Sequence, residues 1–589
     1  MFDLEKEIVK WKKSLQKYEE FEDGLIADIE LHLRDLYAAQ IQAGCAEEDA
    51  FREAVDQMGT ADSIAAEYRK NRLVMLDRRS PLRPGRFMPA LVWNYIKTAL
   101  RAIRRQKGYS FINITGLAIG LTVSMLIVLW VVDEWSFDRF NANAERIFRV
   151  YRNEAATQKG TTSVLTPPPM AAALKTDFSE IVKATRFGYW RRNLISYKDK
   201  SFNEAGFRHA DPDFLDMFSF PLVKGNAETI FANPYSVILT EKTAEKYFGE
   251  EDPIGKTLKI NNDQGYEVTG VFQEIPDNSH FHFDILISLS SHPVAKDKTW
   301  LNTNLQTYIL LHDKADPNGL EAKFPDLVLK YMAPQFEALL GASIKKRAEE
   351  GELRAEMYLQ PLRDIHLHSD LLGEMEPTSD VKYVYIFSAI ALFILIIASI
   401  NFTNLSTARS AGRAREVSIR KVLGSYRKQL IGQFLTESMV LSLISMTIAL
   451  LLVWLALPLF NSLSGKVFSL SDFEKGPMLL VLVLVTLLTG FFAGSYPAFF
   501  ISAFRPANVL KDQMKSGAKA RLIRRSLVVF QFMASIILII GTFIVYKQLN
   551  YIQNKKLGFN KEQVLILENT HLLEKQIESF KNEILSYPQ

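Results

Sequence analysis

Disulfide chemistry is closed to this chain. Its 589 residues include a single cysteine, Cys45, so no intrachain bridge can form and no disulfide framework supports the fold. A lone cysteine of this kind reads as a small buried hydrophobe. A signal peptide is also missing. The opening MFDLEKEIVKWKK is charged and amphipathic, with no apolar core and no small-residue cleavage site. Targeting then falls to the first long apolar run. A phosphate loop, G-x-x-x-x-G-K-[ST], is missing too. The nearest stretch, Gly249–Thr257 (GEEDPIGKT), has five residues between its glycines instead of four and precedes a strand-like run, so it reads as a turn.

Catalytic and metal-binding patterns are equally sparse. No Ser-His-Asp set or paired carboxylates stand out, and no catalytic residue is assigned. Two His-x-His pairs occur, His280/His282 and His366/His368. On a strand, alternate positions share a face, but neither pair has an adjacent cysteine or a clear carboxylate cluster. No metal site is assigned. Net charge is only +4, and no nucleic-acid partner is expected.

What is present is long apolar sequence. A mean hydropathy of +0.00 is high for a soluble protein and low for a purely membrane one, which points to two populations of residues. Five stretches are long enough to cross a bilayer, which takes roughly 20 residues. They are Phe111–Val132, Tyr383–Phe402, Met439–Phe460, Met478–Phe500 and Leu527–Tyr546. They hold few ionisable groups; Asn401 and Gln531 are their notable polar residues. Ion pumping along a polar path usually needs intramembrane ionisable residues, so movement of helices is the better expectation.

Lys and Arg near the span ends give the orientation. Arg101, Arg104, Arg105 and Lys107 precede the first span. Arg409, Arg413, Arg415, Arg420, Lys421, Arg427 and Lys428 lie between the second and third. Arg505, Lys511, Lys515, Lys519, Arg521, Arg524 and Arg525 lie between the fourth and fifth. The loop between the third and fourth has only Lys466 and Lys475, balanced by Asp472 and Glu474. All three basic segments fall on one side of a five-span chain, which makes that side cytoplasmic. Residues 133–382 and everything after Tyr546 are then extracytoplasmic.

Outside the membrane, residues 1–75 read as a small all-α cytoplasmic domain. Leu25, Ile29, Leu33 and Leu36 recur on one helical face, and Phe51, Ala54, Val55 and Met58 form another stripe. Gly59 with Thr60 reads as a stop followed by a new N-cap. A Pro- and Gly-bearing linker around Arg72–Arg86 leads into a basic pre-membrane segment ending near 110. Residues 133–382 alternate strand-like runs with helices, as an α+β domain with two subdomains. YSVILTEKTAEKYFG reads as a strand and a helix starting near Thr240, and GYEVTGVFQEI as a further strand. The fold class is therefore a polytopic α-helical membrane protein with a large extracytoplasmic α+β domain.

Two local patterns carry functional weight. In the segment 404–438, Ile419, Leu423, Tyr426 and Leu430 make one apolar stripe, with Arg420, Lys421, Arg427 and Lys428 mostly opposite. Gly424 is suited to closing a short helix and Ser425 to capping the next. An amphipathic helix here suits transmission of force. Within the spans, Gly116 with Gly120 and Gly490 with Gly494 are small-residue pairs that let backbones approach closely, either within one chain or at a dimer seam.

The stretch INITGLAIGLTVSMLIVLWVVDEWSFDRFNANAERIFRVYR (112–152) resembles the opening of the MacB/FtsX-type ABC permease family. DFLDMFSFPLVKGN (213–226), VILTEKTAEKYFGEEDPIGKTL (237–258) and VTGVFQEIPDNSHFHFD (268–284) follow in order and resemble its extracytoplasmic core. GRAREVSIRKVLGSYRKQLIGQFLTES (412–438), GSYPAFFISAFRPANVLK (494–511) and RRSLVVFQF (524–532) resemble its membrane part. The pattern LHLRDLYAAQIQAGCAEEDAFREAVDQMGTADSIAAEY also resembles the prefix domain ahead of some bacterial permeases. The resemblance implies a bacterial inner-membrane permease subunit that binds no cofactor itself and works with ATP through a separate cytoplasmic ABC ATPase. It implies a homodimer or pseudo-dimer of permeases in the lipid membrane, with room for an extracytoplasmic adaptor protein. It implies ATPase contacts at Arg415, Glu416, Ile419, Arg420, Lys421, Leu423 and Gly424. Family cargo includes antibiotics, peptides and lipoproteins. A membrane sensor for peptides or envelope stress is the alternative. RIFRVYRN (146–153) and QVLILEN (563–569) each follow a span, so the last span reads as the start of a second, truncated copy and the chain as a fragment of a two-half permease.

Overall fold

The computed structural model describes residues 2–16, 23–60, 62–64, 66, 84–154, 161–188, 192–261, 264–340, 355–408, 410–473, 478–502, 518–555 and 576–587, with isolated positions between the last two. The chain divides into two compact units, Met1–Arg101 and Ala102–Gln589.

In the first unit, α1 (Leu4–Leu15), α2 (Asp23–Gln42) and α3 (Glu47–Met58) follow in sequence. Asp3 starts α1 by accepting from the Lys6 N–H at 3.3 Å, which satisfies a backbone donor that the helix cannot. The expected stripes do meet. Leu33, Phe51 and Ala54 pack with Ile8, and Leu36, Val55 and Met58 border them, whereas Ile29 packs with Leu15 and Ile26 and the Leu25 side chain lies outside the described residues. Arg34 forks onto Glu5 at 2.7 and 2.8 Å. Gly59 closes α3 with φ +88°, and Thr60 Oγ1 accepts from the Ser63 N–H at 3.3 Å. Cys45 is half-buried, not buried as expected, because it sits in the turn leaving α2. Much of the linker, 67–83, lies outside the described residues. The pre-membrane segment is helical, as α4 (Pro84–Arg105).

The second unit begins with α5 (Lys107–Ser136) and continues into a sheet. Its strands are β1 (Ile147–Glu154), β2 (Thr161–Ser163), β3 (Ile181–Gly188), β4 (Asn193–Tyr197), β5 (Lys200–Glu204) and β6 (Phe207–Ala210). β7 (Leu222–Lys224), β8 (Ser236–Thr240), β9 (Thr257–Ile260), β10 (Gln264–Phe272), β11 (Ile285–Ser288), β12 (Leu305–Leu311) and β13 (Ala355–Pro361) follow. They run in the order β13-β1-β12-β3-β6-β11-β8-β10-β9-β4-β5, with β2 beside β1 and β7 beside β10. β8 with β10 and β6 with β11 are parallel pairs in an otherwise antiparallel sheet.

The expected two subdomains are therefore one sheet. β3 joins its halves by pairing Phe187 with Ala210 and Gly188 with His209 on β6. An aromatic core packs across the join, with Phe187 stacked 5.0 Å from Phe214 and 4.7 Å from Phe281. α6 (Met170–Asp177), α7 (Glu241–Phe248) and α8 (Phe324–Leu340) accompany the strands. The expected strand-to-helix switch falls at Thr240, whose hydroxyl accepts from the Thr243 N–H at 3.3 Å and so caps α7.

The chain then enters α9 (Val381–Ala408), α10 (Ser410–Val422), α11 (Arg427–Ser464), α12 (Met478–Ile501) and α13 (Ala518–Asn554). Among the described residues, five helices are long and apolar enough to cross a membrane: α5, α9, α11, α12 and α13. Each contains one expected span, and most extend beyond it into polar sequence, because helix propagation does not depend on hydropathy. α5, α11 and the start of α12 share a core of Leu121, Met125, Leu129, Ala449, Val453 and Met478. Small hydroxyls add hydrogen bonds between helices: Ser124 to the Ala391 carbonyl at 3.1 Å, and Ser442 to the Thr486 carbonyl at 2.9 Å. α13 is largely exposed and meets α9 where Phe393 and Phe530 lie 6.4 Å apart. A short helix, α14 (Ile577–Ser586), follows. Most of 563–569, the expected start of a second copy, lies outside the described residues.

Candidate coupling site

The segment singled out in the sequence forms α10, a turn and the first turns of α11. A Schellman motif ends α10. The Ser425 N–H donates to the Arg420 carbonyl at 2.9 Å and the Gly424 N–H to the Lys421 carbonyl at 3.0 Å. Gly424 holds φ at +91°, as that motif requires. The next helix is entered at Tyr426, not Ser425. Gln429 Oε1 reaches back to the Tyr426 N–H at 3.1 Å, which fixes the start one residue later than expected.

The apolar stripe is divided. Val417 is buried with Leu430, Phe434 and Ala498, which pins α10 onto α11 and α12. Ile419, Val422, Leu423 and Tyr426 instead point outward, with 53%, 67%, 79% and 70% of their surface exposed. Leu430 therefore leaves the expected stripe and Val422 joins it, because the turn at Gly424 breaks the helical phase.

The charges around this tip are anchored. Glu416 pairs with Arg420 at 2.6 Å, and Arg420 also donates to Gln433 at 2.8 Å. Lys421 donates to the Ser502 carbonyl at the end of α12, at 2.7 Å. Partial burial, then nearby Arg427, lowers the Lys421 pKa. Arg413 holds Glu437 of α11 through two hydrogen bonds and lies over the Phe434 ring, 5.4 Å from its centroid. The sequence reading uses Arg413 only as one of the basic residues that set the orientation and gives Glu437 no role. The Arg415 side chain lies outside the described residues.

The glycine pairs are used within the chain. A Cβ on Gly116 would meet Asn401 Nδ2 at 3.2 Å, and one on Gly120 would meet the Ala398 Cβ at 2.7 Å, both on α9. A Cβ on Gly490 would meet Met439 Sδ and Ser442 Cβ at 2.9 and 3.1 Å, and one on Gly494 would meet Ser438 at 2.5 Å, all on α11.

At the opposite end of the helices, a buried charge cluster joins segments far apart in sequence. Lys466 Nζ lies 2.6 Å from Asp133 and 2.9 Å from Glu134. His366 Nε2 lies 2.8 Å from the other Glu134 oxygen. Burial opposes the Lys466 charge, but Asp133 and then Glu134 hold its pKa above the usual lysine value. Beside it, a cavity of about 890 Å³ opens between the helix ends and the loops under the sheet, with Arg208, Glu274, Asp284, Phe468 and Met478 in its wall. Its size falls in the range of small-molecule pockets.

The histidine pairs do not act as pairs. His280 is buried between Asp138, 2.8 Å away, and Tyr308, 3.1 Å away, whereas the His282 side chain is 42% exposed. His366 and His368 lie on a helical turn, not a strand, so His366 is buried and His368 exposed. Gly249–Thr257 is a turn, with Gly249 closing α7 and Thr257 opening β9.

Residues 110–327 match the family model of the MacB-like periplasmic core domain, and 388–506 match that of the FtsX-like permease C-terminal. The ABC transporter permease YvrN of Bacillus subtilis (strain 168) is 21% identical over 439 residues, covering 71% of this chain and 99% of YvrN. The macrolide export ATP-binding/permease protein MacB of Bdellovibrio bacteriovorus is 23% identical over 279 residues, covering 46% of this chain but 38% of MacB. Among solved structures, a permease-protein domain from Porphyromonas gingivalis aligns with a TM-score of 0.31 at 19% identity, covering 42% of this chain and 99% of that domain. With both halves of the family's domain pair present in order, the chain is a membrane protein that belongs to the MacB/FtsX-type ABC permease family.

Proposed function

We propose that this chain is the non-catalytic permease subunit of an ABC-type complex. It couples ATP hydrolysis by a separate cytoplasmic ATPase to movement of its large α+β domain. In this reading α10 faces the cytoplasm of a bacterial inner membrane, and residues 133–382 lie on the other side with the cargo. An antibiotic, a peptide or a lipoprotein is the class of cargo exported or extracted. Two permease copies work together, with an extracytoplasmic adaptor as a further partner.

One observation carries the reading. Four large apolar side chains, Ile419, Val422, Leu423 and Tyr426, are exposed at a tip flanked by cations, while the helix beneath them is fixed to α11 and α12. A surface that is apolar at its centre, charged at its rim and rigidly mounted suits a partner that must push. A positive-inside bias accounts for the cations but not for the outward apolar residues or for Glu416.

The test is co-purification. The wild-type chain is expected to bring down a polypeptide that bears a phosphate loop and hydrolyses ATP. Glu416→Lys combined with Leu423→Asp is expected to lose that polypeptide and the coupled hydrolysis. A double variant that keeps both defeats the docking claim.

A further inference from the structure

We propose that Lys466 is the positioning residue through which α11 and α12 act on the large domain, and that the buried cluster Lys466–Glu134–His366 is the point where motion crosses from helices to sheet. The inference rests on the proposed coupling function and adds the place where the coupling leaves the membrane helices.

The connectivity poses the problem. The large domain is joined covalently to the helices by Phe137–Arg146, after α5, and by Leu362–Asp380, before α9. α10 is fixed to α11 and α12, and the segment that connects their far ends, described over 465–473, has no covalent link to the domain. Movement that α10 passes to α11 and α12 leaves that segment for the domain through side chains, beside the covalent route through α9.

Lys466 is placed for this. It is the second residue after α11, which Gly465 ends with φ +70°. Its side chain is 17% exposed, and its ammonium holds both carboxylates at the end of α5, at 2.6 and 2.9 Å. It also lies over the Phe137 ring, 4.6 Å from its centroid, on the first covalent connection. Glu134 is shared, one oxygen facing Lys466 and the other the His366 Nε2 at 2.8 Å. The His366 ring stacks on Phe137 with centroids 3.4 Å apart and planes 3° from parallel. The His366 carbonyl accepts from the Ser379 N–H at 2.8 Å, two residues before α9. The cluster therefore ties the α11–α12 loop to both covalent connections at once.

The chemistry favours a discrete linkage. Separating the partly buried Lys466 from Asp133 and the buried Glu134 leaves charges unpaired where solvation is incomplete, which is unfavourable. The loop and the two connections are thus driven to move together. A single carboxylate bridging a lysine and a histidine leaves little slack, since shifting Lys466 displaces Glu134 and with it the stacked His366–Phe137 pair.

The test uses the full chain in lipid nanodiscs with the ATPase that co-purifies with it. Amide hydrogen exchange over residues 362–380 is measured with and without ATP and vanadate. The wild type is expected to show a nucleotide-dependent change there. Lys466→Met is expected to keep ATPase association and lose that change, and Lys466→Arg to retain it. A merely structural staple would raise exchange equally with and without nucleotide and leave the nucleotide-dependent difference intact, which overturns the inference alone. A wild-type chain that recruits no ATPase overturns the functional reading and this inference together. Should Lys466→Met fail to fold, the swap Lys466→Asp with Asp133→Lys gives the same readout, with recovery of the change supporting the linkage and its absence in the folded swap opposing it.

Discussion

Arg413 and Glu437, 24 residues apart in sequence, face each other through two hydrogen bonds of 3.0 and 2.6 Å, with 18% and 12% of their side chains exposed. The pair fixes the start of α10 to α11, so the exposed tip beyond it is carried on a rigid mount. Removing one partner strands the other's charge. Arg413→Ala is expected to cost about 3 kcal/mol of stability, read as a lower thermal midpoint in detergent. Arg413→Met with Glu437→Leu removes both charges and is expected to cost much less, a non-additivity that a double-mutant cycle measures directly.

Gly120 permits α5 and α9 to touch. An added Cβ would stand 2.7 Å from the Ala398 Cβ, closer than two carbons approach. Gly120→Ala is expected to destabilise the helices by about 1–3 kcal/mol, the usual cost of overpacking. Pairing it with Ala398→Gly restores the space and is expected to recover most of the loss.

Gly424 is required for its backbone and not for space, since nothing lies within 4 Å of its would-be Cβ and its φ is +91°. Gly424→Ala is expected to cost about 1 kcal/mol from the left-handed backbone alone and to speed amide exchange at Gly424 and Ser425. Gly424→Asn is expected to be tolerated better, because asparagine accepts that conformation more readily.

Asp284 lines the cavity under the sheet. Burial by surrounding protein atoms, then the charges of Glu204 and Glu274, raises its pKa above the usual carboxylate value. The side chain still reaches solvent within the cavity. A carboxyl raised in the folded state contributes stability that is fully present below the unfolded value of about 3.9 and is lost as pH rises through the folded value. Asp284→Asn is therefore expected to melt above the wild type at pH 7. The two midpoints are expected to converge below about pH 4, where the wild-type carboxyl is protonated.

Much of the architecture was legible residue by residue. Each long apolar run became one helix, Thr240 capped the helix after its strand, Leu33 and Phe51 met in a core, and Gly424 closed α10. These features depend on neighbours within one or two turns, where a period of 3.6 or 2 and a capping residue suffice. The amphipathic segment proposed for coupling was visible for the same reason, although its stripe was misphased, since a helical wheel drawn through Gly424 ignores the turn there.

The sequence alone determined which five helices, among the described residues, are long and apolar enough to cross a membrane, the asymmetry of basic charge about them, and the family to which the domain pair belongs. The tertiary structure decided which polar groups meet. Lys466 and Asp133 are separated by 333 residues, and no local period links them. The same is true of β3 and β6, whose pairing turned two expected subdomains into one sheet. Such partners are selected by burial. A charge or a strand edge removed from water must find its complement wherever the fold brings one, and only the folded chain reveals where that is.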